Sequence, residues 1–126
     1  RGMEPKEAAA IITAIGTHDE KTAAAVTPLS AALILADKSD VRRSRVRTPR
    51  DRDFDIHDRV NYAVVDSSLD VLPGAGYIVL RLRIDTEICA VMDYFEIFLT
   101  RMTLCRSAAA FLGQRFELII NETRML

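Results

Sequence analysis

YIVLRLRIDTEICAVMDYFEIFLTRMTLCRSAAAFLGQRFELII, residues 77–120, carries the clearest structural signal in the chain. Its opening alternates: Ile78, Leu80, Leu82 and Ile84 share one face of a strand, and Arg81 and Arg83 take the other. The period then changes. From Thr86 and Glu87 onward, Ile88, Val91, Met92, Phe95, Leu99, Met102, Ala109 and Leu112 form an apolar helical stripe, and Gly113 supplies the stop. Phe116, Leu118 and Ile120 restore a period of two. Strand, long helix and strand make a crossover unit, which is expected to be right-handed with the helix over one face of a small sheet.

Pro73-Gly74-Ala75-Gly76 reads as the turn before this unit. Before it, Val60, Tyr62 and Val64 alternate as a first strand that bends on through Leu69 and Val71. Residues 42–58 differ in character: Arg42, Arg43, Arg45, Arg47, Arg50 and Arg52 interleave with Asp51, Asp53, Asp55 and Asp58 around Pro49. Such mixed charge predicts a surface connection. Two helices are expected further upstream. The first runs from Pro5 to Ile15, with Gly16 as its stop; the second starts at Thr27-Pro28 and runs to about Val41. Segments 8–15 and 29–36 are apolar on every side, so each should be buried all round. The expected fold class is α+β: two N-terminal helices, then a β-β-α-β unit whose small, mostly antiparallel sheet packs on one long helix. Residues 1–57 form the helical part with its arginine-rich connection, residues 58–126 the ββαβ part, and the two share one compact unit.

A chain of 126 residues, 49% of them apolar, has material for one buried core. A formal charge of −1 gives no global attraction to nucleic acid or acidic membrane. Cys89 and Cys105 both fall in the helical pattern, too far apart along one helix for a disulfide, which points to free thiols and a reducing compartment. No apolar run is long enough to span a bilayer, and the start lacks an apolar signal core, so a cytoplasmic protein is expected.

His18-Asp19-Glu20 follows the first helix stop, and Asp37 comes eighteen residues after Asp19 on the next helix. Imidazole nitrogen and carboxylate oxygen suit a divalent cation. On residue types alone, a helix-end histidine and a surface ion pair account for the same pattern.

The stretches AIGTHDE, SAALILADKSDVRRSRVR, FDIHDRVNYAV and the run from Ile84 to Asn121 resemble the C-terminal part of bacterial HD-domain metal-dependent phosphohydrolases. The resemblance covers nearly the whole chain after Pro5. It implies that Asp37 corresponds to the family's final metal-ligating aspartate. It also implies that His18 and Asp19 belong to a turn that some family members place near the metal or a substrate phosphate, and Lys38 sits beside Asp37 in the same motif; His18, Asp19 and Lys38 are the catalytic candidates. The family's divalent metal would be Mn, Fe, Zn or Mg. Its earlier histidine and its His-Asp pair fall upstream of residue 5. His57-Asp58 is a second such pair, but it follows Asp37 and is expected at a strand entry, so it reads as structural. The expectation is therefore a truncated, non-catalytic module with no cofactor of its own. The alternative is a phosphohydrolase whose site is completed by upstream sequence or by a partner chain.

Two further expectations concern partners. Removal of the upstream helices leaves 8–15 and 29–36 in need of cover, which predicts a homodimer or higher oligomer through those segments. Arg42, Arg43, Arg45, Arg81 and Arg83, with Tyr77 and Arg115 on the open sheet face, are candidates for phosphate or nucleic-acid contact. The interleaved aspartates favour a solvated linker, so nucleic acid is not an expected partner.

Overall fold

The computed structural model describes residues 2–46 and 55–126. Helix α1 is Pro5–Gly16 and helix α2 is Pro28–Ser39; a 3-10 turn at Arg43–Arg45 follows. Helix α3 (Ile56–Ala63) leads into strand β1 (Val64–Leu72), and β2 is Tyr77–Ile84. Helix α4 (Val91–Phe111) connects to β3 (Arg115–Ile120), which is followed by a short β4 (Thr123–Arg124). No described helix is long and apolar enough to cross a membrane.

The fold is α+β with a mixed four-stranded sheet in the order β1-β2-β3-β4. Strands β1 and β2 pair antiparallel, β2 and β3 parallel, and β3 and β4 antiparallel. The parallel pair requires the crossover that α4 supplies. Leu80 is the register centre, opposite Leu69 on one side and Leu118 on the other. The alternation of β2 and β3 turns Ile78, Leu80, Leu82, Ile84, Phe116, Leu118 and Ile120 into the core. Tyr94, Phe98, Met102, Cys105, Ala108 and Ala109 of α4 meet them. Ala31, Ile34 and Leu35 of α2 join the same cluster, as do Val41, Val60, Ala63 and Val64. One core therefore draws on both sides of the 57/58 boundary.

Four expectations are corrected. Val60 and Tyr62 lie in α3, and only Val64 enters the strand. The Asp55 carboxylate accepts from Asp58 N at 2.8 Å and starts that helix, whose Val60 and Ala63, three apart, are its buried residues. Helix α4 begins at Val91 instead of Thr86: Ile88 N and Cys89 N bond back to the Asp85 carbonyl in a turn, and Asp93 accepts from Ala90 N. Cys89 is thus outside the helix, and both cysteines are free and buried. The stripe is also rotated: Tyr94, Phe98 and Cys105 are buried where Met92 and Leu99 had been expected, and those two are exposed. Finally, α2 is not bare. It packs along α4, which buries Ala31, Ile34 and Leu35, with Leu33 half-buried and Leu29 exposed.

Candidate functional site

Helix α1 ends at Thr17, whose backbone N–H bonds the Thr13 and Ala14 carbonyls. The chain then turns, and His18 Nδ1 bonds back to the Ile15 carbonyl. Asp19 accepts from Lys21 N at 3.2 Å, so its carboxylate braces its own loop. Thr27 and Ser30 begin α2 with a reciprocal cap: Thr27 Oγ1 accepts from Ser30 N at 3.1 Å, and Ser30 Oγ accepts from Thr27 N at 2.9 Å. Three turns on, Asp37 and Lys38 stand at the end of α2, beside α4.

Lys38 is 5% exposed, and its ammonium donates to Asp37 Oδ2 at 2.6 Å. Burial alone would raise the Asp37 carboxyl. The Lys38 hydrogen bond and charge, with His18 and Arg101 behind them, instead hold it below its ordinary value. Arg101 of α4 pairs with Glu20, tying the α1–α2 loop to the long helix. Its guanidinium also lies 4.9 Å from the Phe98 ring centroid. Behind this group sits Cys105, whose thiol burial pushes up to about 12. The result is a mixed-charge cluster of His18, Glu20, Asp37, Lys38 and Arg101.

The structure thus brings His18, Asp37 and Lys38 of the sequence-derived set into one electrostatic neighbourhood and turns Asp19 into its loop. Glu20 and Arg101 are the members that sequence reasoning did not assign. Arg101 sits eighty-one residues beyond Glu20, and no local pattern announces that pairing. His57 lies in the first turn of α3, 3.9 Å from the Asp55 carboxylate, with its ring edge-on to Phe98 at 6.4 Å between centroids.

A metal does not fit these residues by themselves. Among the described residues no group of three or more His, Cys, Asp or Glu is placed to hold a cation. One oxygen of Asp37 already carries the Lys38 ammonium.

Most of the candidate arginines are engaged. Arg42 and Arg45 both pair with Asp40, at 2.8 and 3.0 Å. Arg43 Nε donates to the Tyr62 carbonyl at 2.7 Å, and its guanidinium stacks 4.4 Å over the Tyr62 ring. Arg81 pairs with Asp70 at 3.3 Å across the open sheet face. Arg83, on the same face, makes no ion pair among the described residues. Arg47, Arg50 and Arg52 lie outside the described residues.

The apolar surface is concentrated differently. Helix α1 buries only Ala14, leaving Ile12 69% and Ile15 56% exposed. Ile11 and, at the start of α2, Leu29 are also exposed.

Comparison with protein-family models, curated proteins and solved structures finds no match for this chain.

Proposed function

We propose that the chain is an HD-phosphohydrolase-derived module that is non-catalytic in this form and associates with a second copy of itself. The observation that carries self-association is the apolar face of α1. A twelve-residue helix is marginal in isolation, and its order normally rests on packing of one face. This one contributes a single buried side chain, while Ile12 and Ile15, three apart, face the same way into solvent. A second α1 laid antiparallel on the first would cover both. The free, buried cysteines support the cytoplasmic location expected from sequence.

The native thiols make a clean test possible. Cys89 and Cys105 are buried, and burial raises both thiols, so a cysteine placed at position 12 supplies the reactive group. Ile12→Cys should form a disulfide-linked dimer on mild oxidation much faster than Glu7→Cys, elsewhere on the same helix. Equal rates for the two variants would count against the α1 interface.

The second reading is a metal-dependent phosphohydrolase whose site is completed by other sequence or by a partner chain. It is favoured by the convergence of His18 and Lys38 on Asp37. If it holds, the full-length protein or complex containing this chain should carry divalent metal that Asp37→Ala removes. Unchanged metal content in that variant would rule out Asp37 as a ligand.

A further inference from the structure

One edge of the sheet ends in β4, which is only two residues long. The other edge is β1, with nine residues and neither the Lys nor the Pro that commonly guards an exposed edge. Its irregularity is confined to the shift between Val64 and Asp66, and from Asp66 to Leu72 its pairing with β2 is unbroken. Among the described residues, no backbone hydrogen bond reaches residues 65–71 from outside that pair. Alternate N–H and C=O groups of the strand therefore face outward, a row that another extended backbone matches.

The side chains along this edge are sorted by face. Leu69 and Val71 stand opposite Leu80 and Ile78, so they belong to the covered side of the sheet. Val71 is nonetheless 59% exposed. The reason is a gap of about 300 Å³ between Ala32 and Ala36 of α2 and Leu69 and Val71 of β1, with no polar side chain in its wall. On the open side β1 presents Asp66, Ser68 and Asp70. Arg81 holds Asp70, while Asp66 is exposed and makes no ion pair among the described residues. Arg81 and Arg83 stand one strand further in, on β2. A strand added to this edge would thus have carboxylates as its nearest neighbours on one face and an apolar chamber beside the other.

We propose that the β1 edge binds an extended peptide of a partner protein by strand addition, and that this peptide alternates aliphatic and basic residues. Its backbone continues the sheet, and an aliphatic side chain enters the chamber beside Val71. Its basic residues lie against Asp66 and Asp70. The same charges disfavour a second copy of the chain. Two-fold pairing of β1 with itself over its full length is centred on Ser68 and sets Asp66 opposite Asp70 at both ends. The site is separate from the exposed face of α1 and does not depend on it.

A seven-residue peptide alternating lysine and valine, acetylated and amidated, serves as the probe in an NMR titration of the whole chain. It should bind saturably and shift the backbone amides of residues 65–71. The same peptide methylated on every backbone nitrogen keeps its side chains and charge but loses its donors, and it should bind about tenfold more weakly or worse. Ala36→Phe, which fills the chamber from an exposed position, should weaken the parent peptide by about tenfold. Asp66→Lys should weaken it several-fold and improve a peptide with glutamate in place of lysine. Ile12→Glu should bind the probe as the unaltered chain does, which separates this edge from self-association through α1. Absence of saturation, equal binding of the methylated peptide, or equal binding of the lysine and glutamate peptides by the unaltered chain would each overturn the proposal. So would shifts of the β1 amides with protein concentration alone, which would make a second copy the occupant.

Discussion

Lys38 can be buried because Asp37 is charged. The ammonium is nearly lost to solvent, while the side chain of Asp37 remains 37% exposed, so water shares in solvating the pair. The Asp37 carboxyl lies below its ordinary value of 3.8 in the folded chain. The stability it contributes is therefore fully present above that value and is lost as pH falls through the lower, folded value. Urea denaturation at a series of pH values should show this loss in the acid limb below about pH 4. Asp37→Asn should flatten that limb and also destabilise the protein at neutral pH, because the Lys38 charge stays buried without its counter-ion. Breaking a fully buried pair costs about 3–5 kcal/mol; the exposure of Asp37 reduces the expected loss to about 2 kcal/mol or less. An unchanged acid limb in Asp37→Asn would show that other carboxylates dominate there. His18, Asp37 and Lys38 were legible in sequence as chemically capable residues. Their orientations were not, because the Lys21 amide that turns Asp19 aside and the Glu20–Arg101 pair depend on loop geometry.

Among the elements, the β3–β4 hairpin depends on one side chain more than any strand pattern suggests. Asn121 and Glu122 both have positive φ, +47° and +68°, which a two-residue hairpin turn of this type demands. Asn121 Oδ1 also accepts from Ile84 N at 2.8 Å, and its Nδ2 donates to the Ile84 carbonyl at 3.0 Å. The amide thus extends the β2–β3 ladder beyond the last backbone pair. Asn121→Ala should cost about 1–3 kcal/mol by loss of these bonds and by strain at positive φ. Glu122→Gly should instead stabilise by a few tenths to about 1 kcal/mol, since glycine relieves that strain. Chemical denaturation of both variants checks the pair of signs. The crossover of β2, α4 and β3 was readable because two clean changes of period mark it. Helix α3 is hidden in the sequence because Val60, Tyr62 and Val64 alternate as a strand does, whereas burial follows Val60 and Ala63. The sequence pattern runs past the true start of α4 because the preceding turn is held by bonds from Ile88 N and Cys89 N to the Asp85 carbonyl, which leave no mark on residue periodicity.

For the molecule as a whole, the sequence suggested two helices in need of outside cover, and the fold provides it for one. Packing on α4 absorbs most of α2, since Phe98, Met102 and Cys105 offer it an apolar surface in the same core. Among the described residues, helix α1 packs on α2 and has no second partner of comparable extent. Fully burying a side chain such as Ile12 or Ile15 contributes about 1.5–3 kcal/mol, and two copies would bury four of them. That gain is comparable with the stability of a small domain, although association entropy offsets part of it. Sedimentation velocity over a range of micromolar concentrations, on the unaltered chain and on Ile12→Glu, tests this most directly. The account predicts a concentration-dependent dimer or larger species for the former and a folded monomer for the latter. A compact monomer at every concentration, unaffected by Ile12→Glu, would contradict it.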